Sequence, residues 1–255
     1  SALIYPPTEA AFNANTFRIS IDLKEAIEPE RLKRAFKDLL KRCPYVNVTM
    51  KKGFFWYYLT PNPKDPIIHP EGSYPAGRFL FRENNGYLIR VLHASHRIAL
   101  ECFHALSDGI GVLELLKLLV ERYLASGGRE VSFQGDLSFD EPAQAWESSD
   151  PFQTLYDPRL PGYPSYPRAY HYKGSGSYDE RVKVISARMK SSDLKGAAKL
   201  HDLTIGQYLG AVFIHSLQEL QLKEGRKMRR RKPICISVPM NLRRLFDLKT
   251  MRNFT

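Results

Sequence analysis

Cysteine is scarce: Cys43, Cys102 and Cys235 are the only three in 255 residues, widely spaced and each in an apolar or helix-end context. That scarcity excludes a disulfide framework and a zinc knuckle, and it fits reduced, packed thiols. Acidic residues are also short of basic ones, 27 against 38, which leaves a net charge of +11. A field of that sign attracts polyanions such as nucleic acid, anionic lipid or a phosphorylated cofactor, but charge alone does not choose among them. No apolar run reaches the ~18 residues of a spanning helix, and Ser1 to Phe12 lack the basic and apolar regions of a secretion signal. The expectation is a cytoplasmic protein with no transmembrane segment. There is no internal repeat, low-complexity tract or Walker-type glycine loop. His93, His96 and His104 straddle an expected turn without a supporting carboxylate or thiolate cluster, so no metal site is expected.

What is present suits a folded protein, with 43% hydrophobic and 25% charged residues. Residues 15 to 22 alternate as a strand, with Phe17, Ile19 and Ile21 on one face. From Pro29, apolar residues Leu32, Ala35, Phe36, Leu39 and Leu40 recur at helical spacing until Pro44 ends the pattern. Phe54 to Leu59 is aromatic-rich and predicts a strand. Between Arg78 and Phe103 three strands are expected, FLFRE, YLIRVL and RIALECF, with Asn85-Gly86 as the first hairpin turn and Ala94 to His96 as the second. A long helix follows His104 and stops at Gly127-Gly128. Glu130 to Gly176 loses periodicity and predicts a crossover, with Gly174 to Ser177 at a domain junction. A strand from Arg181 to Met189, helices from Ser191 and from Thr204, and a buried strand ICISVPMNL complete the pattern.

The stretch RIALECFHALSDGIG, Arg97 to Gly111, carries the chemistry. Strand alternation puts Ile98, Leu100 and Cys102 on one face and Arg97 and Glu101 on the other, and His104 continues the apolar face. A histidine held there keeps a neutral, basic imidazole, the group that proton removal near neutral pH requires. Asp108, four residues on, is placed to hold the loop rather than to touch substrate. Gly109 leaves room where a cofactor arm passes close to the backbone.

These residues resemble the His-x-x-x-Asp-Gly motif of the CoA-dependent acyltransferase superfamily, which includes chloramphenicol acetyltransferase, alcohol acetyltransferases and condensation domains. The likeness extends to RLKRAFKDLLKRCPYVNVTM, to LHDLTIGQYLGAVFIHSL and to ISVPMNLRRLF with the following RNF. The bacterial alcohol-acetyltransferase-like group is the nearest in flavour, because Phe103 stands where condensation domains carry a second histidine. The resemblance implies an α/β fold, a two-layer, mixed and largely antiparallel sheet sandwich. It implies a half at residues 1–173 carrying the motif and the start of a second, incomplete half at 174–255. It implies acyl transfer from acyl-CoA to a small alcohol or amine, with His104 as general base, Gly109 in the same loop, and Asp108 in a structural ion pair with Arg243, ahead of Arg244. Acyl-CoA enters as a co-substrate, and no tightly bound cofactor is implied.

Two other readings start from the same residues. A non-catalytic relative would keep the fold to bind a carrier or lipid. A basic module would bind nucleic acid or anionic membrane, but no nucleic-acid fold signature is present and no nucleic acid partner is expected.

Overall fold

The sheet at the centre of the fold is written in the alternation of two segments that pair residue for residue. In the computed structural model, which describes residues 5–8, 14–72, 75–76, 80–160, 162, 167–172, 184–224 and 232–255, the first elements are a short helix α1 (Tyr5–Thr8) and strand β1 (Thr16–Asp22). Helix α2 (Pro29–Arg42), the hairpin β2 (Val48–Lys52) and β3 (Tyr57–Pro61), and the strands β4 (Ile68–Pro70), β5 (Ile89–His93) and β6 (Arg97–Phe103) follow. Helices α3 (Gly109–Ala125), α4 (Ala145–Ser148) and α5 (Pro151–Leu155) lead to α6 (Ser191–Lys199) and α7 (Ile205–Lys223), and α8 (Arg243–Phe246) comes last.

The four-stranded sheet has the order β1-β6-β5-β4, antiparallel except for the parallel β4–β5 pair. Its register aligns Phe17 with Cys102, Ile19 with Leu100 and Ile21 with Ile98, and continues to Ile89 and Val91 of β5. These side chains share one face with α2 and α3, whose Leu32, Phe36, Leu39, Leu115 and Leu119 are buried in the same core. Each large apolar side chain removed from water there contributes roughly 1.5–3 kcal/mol. The opposite face carries Arg18, Glu101 and Arg90 side by side. Glu101 is buried and accepts hydrogen bonds from Arg18 Nε at 2.8 Å, Arg90 Nε at 3.0 Å and the Ala76 amide at 2.7 Å. Burial pushes its carboxyl up, but the amide and the two guanidiniums outweigh this and hold it below the usual carboxylate range. The result is a mixed α/β, two-layer, largely antiparallel fold.

Helix ends are set by local chemistry. Asp108 caps α3 through Gly111 N, and the helix closes with Gly128 N on Ala125 O and Arg129 N on Leu124 O, Gly128 taking φ +79°. That pair of bonds is a Schellman stop. Thr204 caps α7 in a reciprocal box with Gln207.

The chain divides into two compact units: Ser1–Tyr156 with Glu180–Lys183 and Met240–Thr255, and Asp157–Asp179 with Val184–Pro239. In the second unit α6 and α7 pack on each other. No helix among the described residues is long and apolar enough to cross a membrane.

Several expected elements take other forms. Leu80 to Glu83 of FLFRE are not strand, Phe79 lying outside the described residues: Phe81 to Gly86 forms consecutive turns closed by Gly86 N on Phe81 O. Asn85 and Gly86 do take positive φ, 50° and 86°, but they end this turn instead of joining two strands. Asn84 donates to Tyr87 O and Ile89 O and so holds the turn against β5, while the place beside β5 is taken by β4. FFWYYL enters its ladder only at Tyr57. Residues 184–189 and ICISVPMNL are not strands, since a strand needs a ladder and no described residue after Phe103 forms one. Cys235, expected to be packed, is exposed. His215 is exposed as well and faces Glu219 one turn on, at 3.8 Å. The GSGS junction, residues 181–183 and the boundary at 173/174 lie outside the described residues.

Candidate active site

His104 sits one residue beyond β6, and its amide donates to Asn15 O at 2.9 Å, which extends the β1–β6 pairing past the strand end. The phase of β6 turns the ring toward the face it shares with Phe17. Phe17 lies 4.5 Å away, centroid to centroid, and Tyr5 of α1 stacks on the ring at 5.2 Å with 24° between planes. The ring is half-buried. Burial lowers its pKa below the ordinary 6.5, opposed by the nearby Asp108 charge, which raises it. Burial thus favours the neutral imidazole, the form that can accept a proton.

Asp108 does not bond to that ring. Its buried carboxylate accepts from Arg243 Nη1 at 2.8 Å and Nη2 at 3.1 Å, from Gly111 N at 3.0 Å and from Phe254 N at 2.8 Å. Arg243 extends the clamp by donating to Thr250 O at 2.9 Å and Arg252 O at 2.8 Å. One carboxylate thus ties the motif loop, the start of α3 and the 243–254 segment together. Arg244 is exposed and makes no part of the clamp. The fork geometry suits an arginine, because two parallel N–H groups match two carboxylate oxygens.

Asn253 is a neighbour that the sequence reading did not single out. Its Nδ2 donates to His104 O at 3.1 Å and lies 3.3 Å from His104 Nδ1, so the amide holds the backbone of the histidine and sits beside its ring. The only sequence signal was the RNF triplet, whose asparagine follows an arginine and precedes a buried phenylalanine. Phe254 anchors the segment against Phe152 at 5.1 Å and Phe246 at 6.1 Å.

The two glycines of the motif differ in purpose. A Cβ at Gly111 would stand 2.1 Å from Ser107 Oγ and 2.5 Å from Met251 O, so the absence of a side chain is what lets the 250–254 segment close on the loop. A Cβ at Gly109 would meet nothing within 4 Å. Open space lies over that residue.

Neither Ser107 nor Cys102 is placed to act as a nucleophile. Ser107 is buried and donates to Met251 O at 2.5 Å. The Cys102 thiol is buried, and desolvation pushes its pKa well above the ordinary range. Among the described residues no group of three or more His, Cys, Asp or Glu side chains could hold a metal ion.

No family model matches the chain, and no curated protein matches it. Among solved structures it is similar to the SgcC5 protein of Streptomyces globisporus, with 12% identity over 51% of this chain and 34% of that one and a TM-score of 0.38. It is also similar to polyketide synthase associated protein 5 of Mycobacterium tuberculosis, with 14% identity, 49% and 35% coverage and a TM-score of 0.34. The starter condensation domain of the rhizomide synthetase RzmA matches with 11% identity, 53% and 37% coverage and a TM-score of 0.40. The chain spans about a third of the length of these structures.

Proposed function

We propose that the protein is an acyltransferase that moves an acyl group from acyl-CoA to an alcohol or amine, with His104 as the general base. The observation that carries this reading is a half-buried imidazole with Tyr5 and Phe17 against its ring, on a backbone whose carbonyl accepts from Asn253. The sequence resemblance of the His104–Asp108–Gly109 loop supplies the reaction class.

His104 takes the proton of the acceptor hydroxyl or amine as that group attacks the thioester carbonyl carbon. The tetrahedral intermediate collapses, the C–S bond breaks, and the leaving thiolate takes the proton back from the imidazolium. Transfer is direct, because Ser107 and Cys102 are not equipped to form an acyl-enzyme. Asp108 and Arg243 contribute by holding the loop that presents the ring.

The test is to incubate the intact protein with acetyl-CoA and longer acyl-CoAs, together with alcohols and amines, and to follow thiol release and ester or amide formation. Acceptor-dependent thiol release supports the reading. Tight RNA or DNA binding with a steep salt dependence and no reaction with any acyl-CoA contradicts it.

A further inference from the structure

Phe54, Phe55 and Trp56 stand at the free end of the β2–β3 hairpin, exposed to 92%, 89% and 55%. Large aromatic side chains in sequence at a surface tip are costly to leave in water. The turn that presents them is tight: Gly53 N donates to Trp56 O at 2.7 Å, and a Cβ at Gly53 would already lie 3.0 Å from that oxygen. Phe54 and Phe55 meet edge to face at 4.5 Å, so the apolar wedge is formed before anything binds it.

Chemistry is graded along the hairpin. Val48 at the root is buried, and Thr49 bridges to Tyr87, which fixes the base of the hairpin to the main unit. Lys51 and Lys52 are exposed and pair across the ladder with Tyr58 and Tyr57. From Leu39 to Lys64 the sequence contains no aspartate or glutamate, so nothing within the hairpin offsets the two lysines. Phenylalanines therefore come first, tryptophan and tyrosines next, and ammonium groups behind them. That order matches the depth profile of a bilayer surface: acyl chains, then the interfacial zone that favours Trp and Tyr, then phosphates. A folded protein partner would need a pocket shaped to a convex tip, whereas a lipid surface needs only this ordering and an opposite charge.

We infer that the β2–β3 tip docks the protein on membranes containing anionic phospholipid, with Phe54, Phe55 and Trp56 inserted and Lys51 and Lys52 on the headgroups. The inference stands apart from the acyltransferase reading.

The test is co-sedimentation of the intact protein with phosphatidylcholine vesicles, with and without phosphatidylserine. Binding should favour the phosphatidylserine vesicles and fall as salt is raised. Replacing Phe54, Phe55 and Trp56 together by Ser should abolish it. The pair K51Q and K52Q should weaken it about thirtyfold, a factor near five for each lysine. All five side chains leave the core untouched, so thermal unfolding of both variants should follow the parent. No binding to either vesicle would overturn the inference. So would binding that both variants retain, which would place the contact elsewhere, and so would self-association that the serine variant loses without any vesicle binding.

Discussion

Arg243 grips Asp108 with both Nη groups across 135 residues of chain, and the carboxylate's other partners are the backbone amides of Gly111 and Phe254. The pair is nearly closed to solvent, so removing one partner strands the other. Arg243→Ala should destabilise the first unit by about 3–5 kcal/mol, read by chemical denaturation. Arg243→Lys keeps the charge without the fork and should recover only part of the loss. A loss near zero for Arg243→Ala would make the pair peripheral.

The depressed pKa of His104 sets the direction of two pH effects. Burial is the larger cause, so the ascending limb of the pH–rate profile should lie below the ordinary 6.5. Stability linked to the ring is fully present above 6.5 and is lost as the pH falls through and below it, because the unfolded chain takes up the proton first. Asn253→Asp places a carboxylate 3.3 Å from Nδ1 in the asparagine's position and should move the limb upward. An unmoved limb in that variant would separate Asn253 from the ring.

Gly109 and Gly111 should respond oppositely to alanine. At Gly111 the new Cβ collides with the Met251 carbonyl, a backbone atom that cannot swing away. Gly111→Ala should lower the melting temperature, with a cost of about 1–3 kcal/mol for overpacking. Gly109→Ala meets open space and should leave the melting temperature level or slightly raised. If acyl-CoA passes over this residue, the same variant raises KM for it.

Thiol labelling separates the three cysteines. Iodoacetamide at neutral pH should modify exposed Cys235 in the folded protein and spare Cys43 and Cys102. Desolvation is the main reason, and it pushes the Cys43 thiol up to about 12. Labelling of Cys102 before unfolding would reopen the question of a thiol nucleophile.

The β1 and β6 alternation, the apolar spacing of α2 and α3, and the Gly127-Gly128 stop were all legible because period and turn chemistry are local properties. The same periodicity placed His104 on the apolar face of its own strand, and the pairing with β1 then sets it beside Phe17. Pairing is not local, and there the reading failed. FLFRE has the alternation of a strand, but Asn84 spends its side chain on Tyr87 and Ile89 and folds the segment into turns, while Ile68–Pro70, too short to show a period, takes the place beside β5. ICISVPMNL carries strand-like residues with no ladder to join. Asn253 was out of reach for a similar reason, since its role depends on a segment brought 149 residues back to His104.

The most direct measurement is the turnover of His104→Ala in the intact protein with an acyl-CoA and its acceptor. Loss of the base should cost ~10²- to 10⁴-fold in kcat, with little change in KM for either substrate and an unfolding midpoint close to the parent's. Turnover equal to the parent's would contradict the account and return His104 to a packing residue.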